Sequence, residues 1–240
     1  MTVRRIGTWR DGVRRLRDAA VASLLPGGLP IAPILAQVDG YLLPHEGVFL
    51  YWIARLGPGS GCIVEVGSFR GRSTLCMAAG VRGRRESRLF AVDPHVYRTA
   101  EELQENLRHF GVEALVDAIV SPSVETAREW RLPVRLLFVD GNHERESVEA
   151  DVDAWLPHLA PGGFLLLHDS TSICGFPGPK EVARARLRPG SIFDVVDRVG
   201  SITWGRRSGA PGPWLPPMYG KGILDQYVRI VGRLGEKPTG

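Results

Sequence analysis

The chain predicts a doubly wound α/β domain built on a mostly parallel sheet of seven strands with an antiparallel closing strand, and three observations carry that prediction. Short apolar, β-branched runs alternate with helical stretches over residues 62–167. The runs are apolar at consecutive positions, the mark of strands covered by helices on both faces. The last two runs meet at one glycine, Gly200, which suits a tight antiparallel return.

The elements follow in order. Residues 7–25 form a helical stretch with apolar positions at Val13, Leu16, Ala20 and Leu24, stopped by Pro26-Gly27-Gly28. Residues 44–56 are a second helix, opened by Pro44 and ended by the glycine-rich segment after Leu56. Residues 62–66 are the first strand, followed by a glycine turn and a helix over 73–79. A second strand, 89–92, leads to a helix over 100–110 that Gly111 closes with a left-handed cap. Strand 116–120, helix 124–130 and strand 134–139 come next. A longer helix over 145–159, ended by Ala160-Pro161-Gly162-Gly163, precedes the fifth strand at 164–167. Residues 192–199 and 201–205 make the closing pair at the sheet edge. The resulting plan is a helical extension over 1–44, the main domain over 45–207, and a loop and tail over 208–240. In that tail Trp214, Met218 and Tyr219 are candidates for a lid or for packing, and the N-terminal helices offer a homodimer contact.

Composition narrows the function classes. A chain of 240 residues with 44% hydrophobic and 23% charged residues supports one globular domain with a sizeable core. No apolar run approaches the roughly 20 residues that a spanning helix needs. Arg4, Arg5, Arg10, Arg14, Arg15 and Arg17 flank no apolar core, so the N-terminus does not read as a secretory signal and a cytoplasmic location is expected. Cys62, Cys76 and Cys174 are odd in number and far apart, which argues against a disulfide framework and a structural zinc site. The net charge of +4 is spread along the chain, with lysine only at 180, 221 and 237, so no nucleic-acid partner is expected.

Two segments describe a ligand. In Val64-Glu65-Val66-Gly67-Ser68-Phe69-Arg70-Gly71 a strand runs into a turn whose glycines let backbone approach a bound molecule at the strand end. Its Gly-x-x-x-Gly differs from the Gly-x-Gly-x-x-Gly of pyrophosphate sites, and Glu65 would repel a phosphate while suiting a cationic amino group. In Phe90-Ala91-Val92-Asp93 the acidic residue stands where a carboxylate accepts the hydroxyls of a ribose. Together they fit a nucleoside with an amino-acid tail.

With these motifs on the page, residues 47–206 resemble the class I S-adenosylmethionine-dependent methyltransferases, whose domain is Rossmann-like. The resemblance implies S-adenosylmethionine as cofactor, with Glu65, Gly67, Ser68, Gly71 and Ser73 around its methionine part and Asp93 on its ribose. Ser121 and Ser123 would flank the adenine, and Asp140 would close the cofactor site. The segments Leu136-Leu137-Phe138-Val139-Asp140-Gly141-Asn142-His143 and Gly162-Gly163-Phe164-Leu165-Leu166-Leu167-His168-Asp169 are similar to those of small bacterial O-methyltransferases of the macrocin type, which modify sugars of natural products. In many of those relatives carboxylates at these two strand ends hold magnesium. The resemblance therefore implies a metal site at Asp140, Asp169 and Ser170, with Ser170 and Asn142 standing where relatives often carry further acids.

The residues also argue for a cation directly, because two acids at neighbouring strand ends repel unless a cation or proton lies between them. A divalent ion there would lower the pKa of a bound hydroxyl and orient it. His143, with Asp140 beside it, is the candidate general base, since a neutral imidazole takes a proton near physiological pH; the competing reading is a cap for the following helix. His168 should point to the opposite side of its strand from Asp169 and is read as structural. The expected acceptor is a hydroxyl on a small molecule, a sugar or glycosylated natural product, with a catechol-type phenol or a nicotinamide-dependent oxidoreductase on the same fold as alternatives.

Overall fold

Helices pack on both faces of a single seven-stranded sheet because its central strands are mostly apolar, buried along almost their whole length, and must be covered twice. The computed structural model describes residues 30–209 except 83, 85 and 86. The predicted helix over 7–25 and the tail residues Trp214, Met218 and Tyr219 lie outside the described residues.

The elements are α1 (Ala32–Gln37), α2 (Pro44–Leu56), β1 (Cys62–Val66), α3 (Arg72–Val81), β2 (Leu89–Val92), α4 (Ala100–His109), β3 (Val116–Ile119), α5 (Ser123–Glu129), β4 (Val134–Val139), α6 (Arg145–Trp155), β5 (Leu159–Leu167), α7 (Pro177–Arg186), β6 (Phe193–Val199) and β7 (Ile202–Arg207). The strand order is β3-β2-β1-β4-β5-β7-β6. Strands β1 to β5 are parallel, whereas β7 runs antiparallel to both β5 and β6. The closing pair is present, but its second strand inserts between β5 and β6, which leaves β6 as the edge.

Alternation along the strands sorts the core. Ile63, Leu136, Phe138, Phe164 and Leu166 pack against α1 to α4, while Val64, Leu137, Val139, Leu165 and Leu167 pack against α5 to α7. Three boundaries differ from expectation. Ile31, Ile34, Leu35, Val38 and Leu42 belong to the first core, so the domain's packing begins ahead of residue 45. Ala160-Pro161-Gly162-Gly163 does not end a helix; α6 stops at Trp155, a 3-10 turn covers Leu156–His158, and β5 starts at Leu159 with a register shift against β4. Helices α1 and α7 were not anticipated; α7 starts at Pro177, a position where the missing N–H costs no helical hydrogen bond. Helix α2, from which a dimer contact was expected, spends its apolar face on the core through Phe49, Leu50 and Ile53. Arg84 donates to the carbonyls of Arg55 and Gly57 at the end of α2.

Candidate active site

The parallel strands β1, β2, β4 and β5 all end at one rim of the sheet, and the predicted site residues gather there. Gly67 follows β1 with φ +88°, and a Cβ on it would stand 2.1 Å from the Asp140 carbonyl oxygen. Only glycine allows the ends of β1 and β4 to run so close. Gly71, at φ +89°, starts α3, where a Cβ would strike Leu103 at 2.6 Å. Between them Phe69 adopts a left-handed φ of +46° without being glycine.

Asp93 holds that conformation. The Phe69 N–H donates to Asp93 Oδ2 at 2.8 Å, and the His95 N–H donates to Oδ1 at 2.6 Å. The carboxylate thereby ties the glycine loop to the end of β2, and each oxygen keeps capacity for one more donor. The Ser68 side chain is buried in the loop with no partner for its hydroxyl among the described residues, leaving a donor and acceptor for a bound molecule.

Glu65 departs from expectation. It is fully buried, and the hydroxyls of Ser73 and Thr74 both donate to it. Burial pushes its carboxyl up to about 8, against the pull of those two hydroxyls. It is a mostly neutral anchor fastening α3 beneath the loop, and Ser73 spends its hydroxyl on that anchor. Neither presents a free polar group to a cofactor.

A second cluster lies at the ends of β4 and β5. His143 Nε2 is 3.1 Å from Asp169 Oδ2, and one ligand atom from each of Asp140, His143 and Asp169 falls within 4.8 Å of the others. Phe176 stacks on the His143 ring at 4.1 Å between centroids and 14° between planes, fixing the imidazole plane. The N-cap of α6 is Glu144, with no side chain capping it, so the structure gives His143 no capping role. Asn142 is the residue that serves the backbone there, accepting from the Glu144 N–H at 2.8 Å.

His168 also belongs to this cluster, contrary to the expectation that it faces away. Asp169 has φ +51°, which breaks the alternation of the strand and turns both side chains to the same place. His168 Nδ1 lies 2.9 Å from Asp140 Oδ1 and 3.5 Å from Asp169 Oδ2, while its Nε2 lies 3.2 Å from Glu46 Oε2. Glu46 is itself fully buried on α2 and accepts from the Leu43 and Ser201 N–H groups and the Ser201 hydroxyl. Sequence reasoning missed it, although a lone carboxylate one turn from Phe49 and Leu50 on the apolar face of a helix was a usable signal.

The electrostatics follow from this geometry. Burial alone would neutralise His168, but the Asp140 charge and the hydrogen bonds to Asp140, Asp169 and Glu46 win, and its pKa rises well above that of a free imidazole. His168 is an imidazolium donating from both nitrogens. Burial would raise Glu46, yet His168 and the Ser201 N–H hold it below the usual carboxylate range. Asp169 is likewise held low by His143 and His168 against its burial. Burial raises Asp140 despite the attraction of His168. The neighbouring Asp169 carboxylate raises His143, outweighing its burial.

This alters the argument for a metal. The positive charge that two adjacent acids demand is supplied in part by His168. A cation still fits: His143 Nε2 is buried and, though 3.1 Å from Asp169 Oδ2, is not aligned for a hydrogen bond with any partner among the described residues, so it and two carboxylate oxygens converge. Ser170 is not among those ligands. Its hydroxyl donates to the Leu167 and Ser201 carbonyls, contacts Thr203 Oγ1 at 2.8 Å and accepts from the Thr203 N–H, so it fastens β5 to β7. The group that converges with the two carboxylates is His143 Nε2. Of the two serines foreseen near an adenine, Ser123 accepts from Trp155 Nε1 at 2.8 Å, whereas Ser121 is half-exposed just past β3.

Comparison with known proteins agrees with this architecture. Residues 64–170, from β1 to just past β5, match a methyltransferase domain family. An uncharacterized protein, y4gI, of Sinorhizobium fredii is 29% identical over 176 residues, 68% of this chain, and the chain spans 19% of that relative's length. The O-methyltransferase TomG of Streptomyces achromogenes, involved in tomaymycin synthesis and solved with S-adenosylmethionine, superposes with a TM-score of 0.60 at 18% identity, covering 84% of this chain and 100% of its own. CalS11, a TDP-rhamnose 3'-O-methyltransferase of calicheamicin biosynthesis, superposes with a TM-score of 0.52 at 17% identity, covering 83% and 95%. Residues 64–170 are thus similar to a methyltransferase domain family, and the chain shares its fold with these solved O-methyltransferases.

Proposed function

We propose that this protein transfers the methyl group of S-adenosylmethionine to a hydroxyl of a small molecule. The observation that carries the reading is the convergence of Asp140, His143 and Asp169 beside the loop of Gly67 to Gly71, with Asp93 tying that loop to the next strand. In it Asp93 accepts from the ribose hydroxyls and Ser68 contributes to the methionine end, with Gly67 and Gly71 giving backbone access. The adenine lies towards Ser121 and the start of α5. The sulfonium donor is already activated, so holding the acceptor oxygen in line supplies much of the rate.

His143 is the proposed base. The Asp169 carboxylate raises its proton affinity and Phe176 fixes its plane, so it takes the hydroxyl proton as the oxygen attacks the methyl carbon. A divalent cation would be held by Asp140, Asp169 and His143 Nε2 and would lower the pKa of a hydroxyl bound to it. The two roles compete for one nitrogen, so chelation separates them. A sugar or glycosylated natural product is the favoured acceptor class, supported by the sugar methylated by CalS11. A catechol-type phenol is the second candidate.

The test is turnover with S-adenosylmethionine across a panel of sugars, nucleotide sugars, glycosides and catechols, following formation of the demethylated product. His143→Ala should retain cofactor binding and lose turnover. Wild-type turnover by His143→Ala would remove it as the base.

A further inference from the structure

The donors gathered at the ends of β4 and β5 bear on which ion the cluster would select. One ligand atom from each of Asp140, His143 and Asp169 falls within 4.8 Å of the others, so the set is one imidazole nitrogen and two carboxylate oxygens. The nitrogen is unspent and held in place. His143 Nε2 is buried, is aligned for no hydrogen bond among the described residues, and belongs to a ring whose plane the stacked Phe176 fixes.

Oxygen donors are scarcer around it than the sequence suggests. Ser170 spends its hydroxyl between β5 and β7, the Thr171 hydroxyl donates to the Gly200 carbonyl, and Asn142 Oδ1 accepts from the Glu144 N–H. Glu46 faces His168 and Ser201, and among the described residues no further carboxylate joins the group. His168 Nδ1 also draws on both acids, at 2.9 Å from Asp140 Oδ1 and 3.5 Å from Asp169 Oδ2, which weakens those oxygens as ligands for a hard ion.

Such a set sorts divalent ions by chemistry. Magnesium is held by its attraction to oxygen, at about 2.0–2.1 Å in a near-octahedral shell, and gains little from an imidazole. Manganese and, more strongly, cobalt bind mixed nitrogen and oxygen sites, along the order that divalent ions of their row follow. A nitrogen in place of an oxygen therefore costs magnesium a ligand and gives these ions a better one.

We propose that the cluster selects a nitrogen-binding divalent transition ion in place of the magnesium that the sequence resemblance implies, with His143 setting the choice. The ion's part in catalysis rests on the methyl-transfer reading; the selectivity does not. The experiment is calorimetric titration of the full chain, stripped of metal, with magnesium, manganese and cobalt, for the wild type, His143→Asp and His143→Gln, together with pulsed electron paramagnetic resonance of the manganese-loaded samples. The His143 side chain is partly exposed, so both variants should melt with the wild type. The wild type should bind cobalt at least about 100-fold and manganese at least about tenfold more tightly than magnesium, and its bound manganese should couple to a nitrogen nuclear spin. His143→Asp, which makes the set all oxygen, should narrow the ratio of cobalt to magnesium affinity at least about tenfold, and both variants should lose the nitrogen coupling. Equal affinity for magnesium and cobalt, a ratio unchanged in His143→Asp, nitrogen coupling absent from the wild type or persisting in both variants, or no binding of any ion at about 1 mM overturns the proposal. S-adenosylmethionine affinity of the same metal-free preparation reports on the methyl-transfer reading separately, so each can fail without the other.

Discussion

Replacing Gly67 with alanine should damage both stability and the candidate cofactor site, because two separate penalties meet there. An alanine at φ +88° pays about 1–2 kcal/mol for the left-handed backbone. Its Cβ would also lie 2.1 Å from the Asp140 carbonyl oxygen and 2.6 Å from its carbon, so the ends of β1 and β4 must part by about 1 Å, at a further cost of about 1–3 kcal/mol. The sum is about 2–5 kcal/mol, or about 5–20 °C in melting temperature for a domain of this size. Gly190 separates the terms: it has φ +81° with nothing within 4 Å of a Cβ, so Gly190→Ala incurs the backbone penalty alone. Thermal unfolding followed by near-ultraviolet dichroism should place Gly67→Ala below Gly190→Ala by about 3–10 °C. Calorimetry should show S-adenosylmethionine affinity kept in the Gly190 variant and reduced at least about tenfold in the Gly67 variant. Equal melting points with unchanged affinity would refute the claim that close backbone approach builds this site.

Three further outcomes are expected. Asp93→Ala frees the Phe69 and His95 N–H groups together and should weaken S-adenosylmethionine binding about 10- to 100-fold by calorimetry; unaltered binding would detach Asp93 from the cofactor. Glu65, raised to about 8 by burial, keeps its proton in the fold while the unfolded chain loses it above about 4.5, so stability falls by about 1.4 kcal/mol per pH unit between those values and levels off beyond. Denaturant midpoints from pH 5 to 8 should flatten in Glu65→Gln relative to the wild type, and parallel curves would contradict the neutral carboxyl. Exhaustive chelation should abolish turnover if a cation activates the hydroxyl and spare it if His143 acts alone, with activity regained on adding magnesium or manganese in the first case.

Much of this molecule was legible because strand burial leaves a mark in sequence. Continuous apolar runs such as Cys62–Val66 and Val134–Val139 exposed the parallel sheet, and Gly67, Gly71 and Asp93 stood out because turns at strand ends need those residue types. What stayed hidden depended on long-range contact or local backbone reversal. Glu46 and His168 are 122 residues apart and meet only once α2 packs beside the end of β5. The left-handed backbone at Asp169 reverses the alternation that a strand pattern assumes, and this is why His168 was read on the wrong side. Ser170 and Glu65 lie where ligand-binding residues are expected, but the hydroxyls and carbonyls around them had already claimed their polar atoms.

The most direct test of the account is calorimetric titration of the purified chain with S-adenosylmethionine and its demethylated product, with NAD as control, in the presence and absence of magnesium. Saturable binding of the first two and none of NAD is the predicted result. Binding of NAD without either sulfur nucleoside would contradict the methyltransferase reading and point to an oxidoreductase on the same fold.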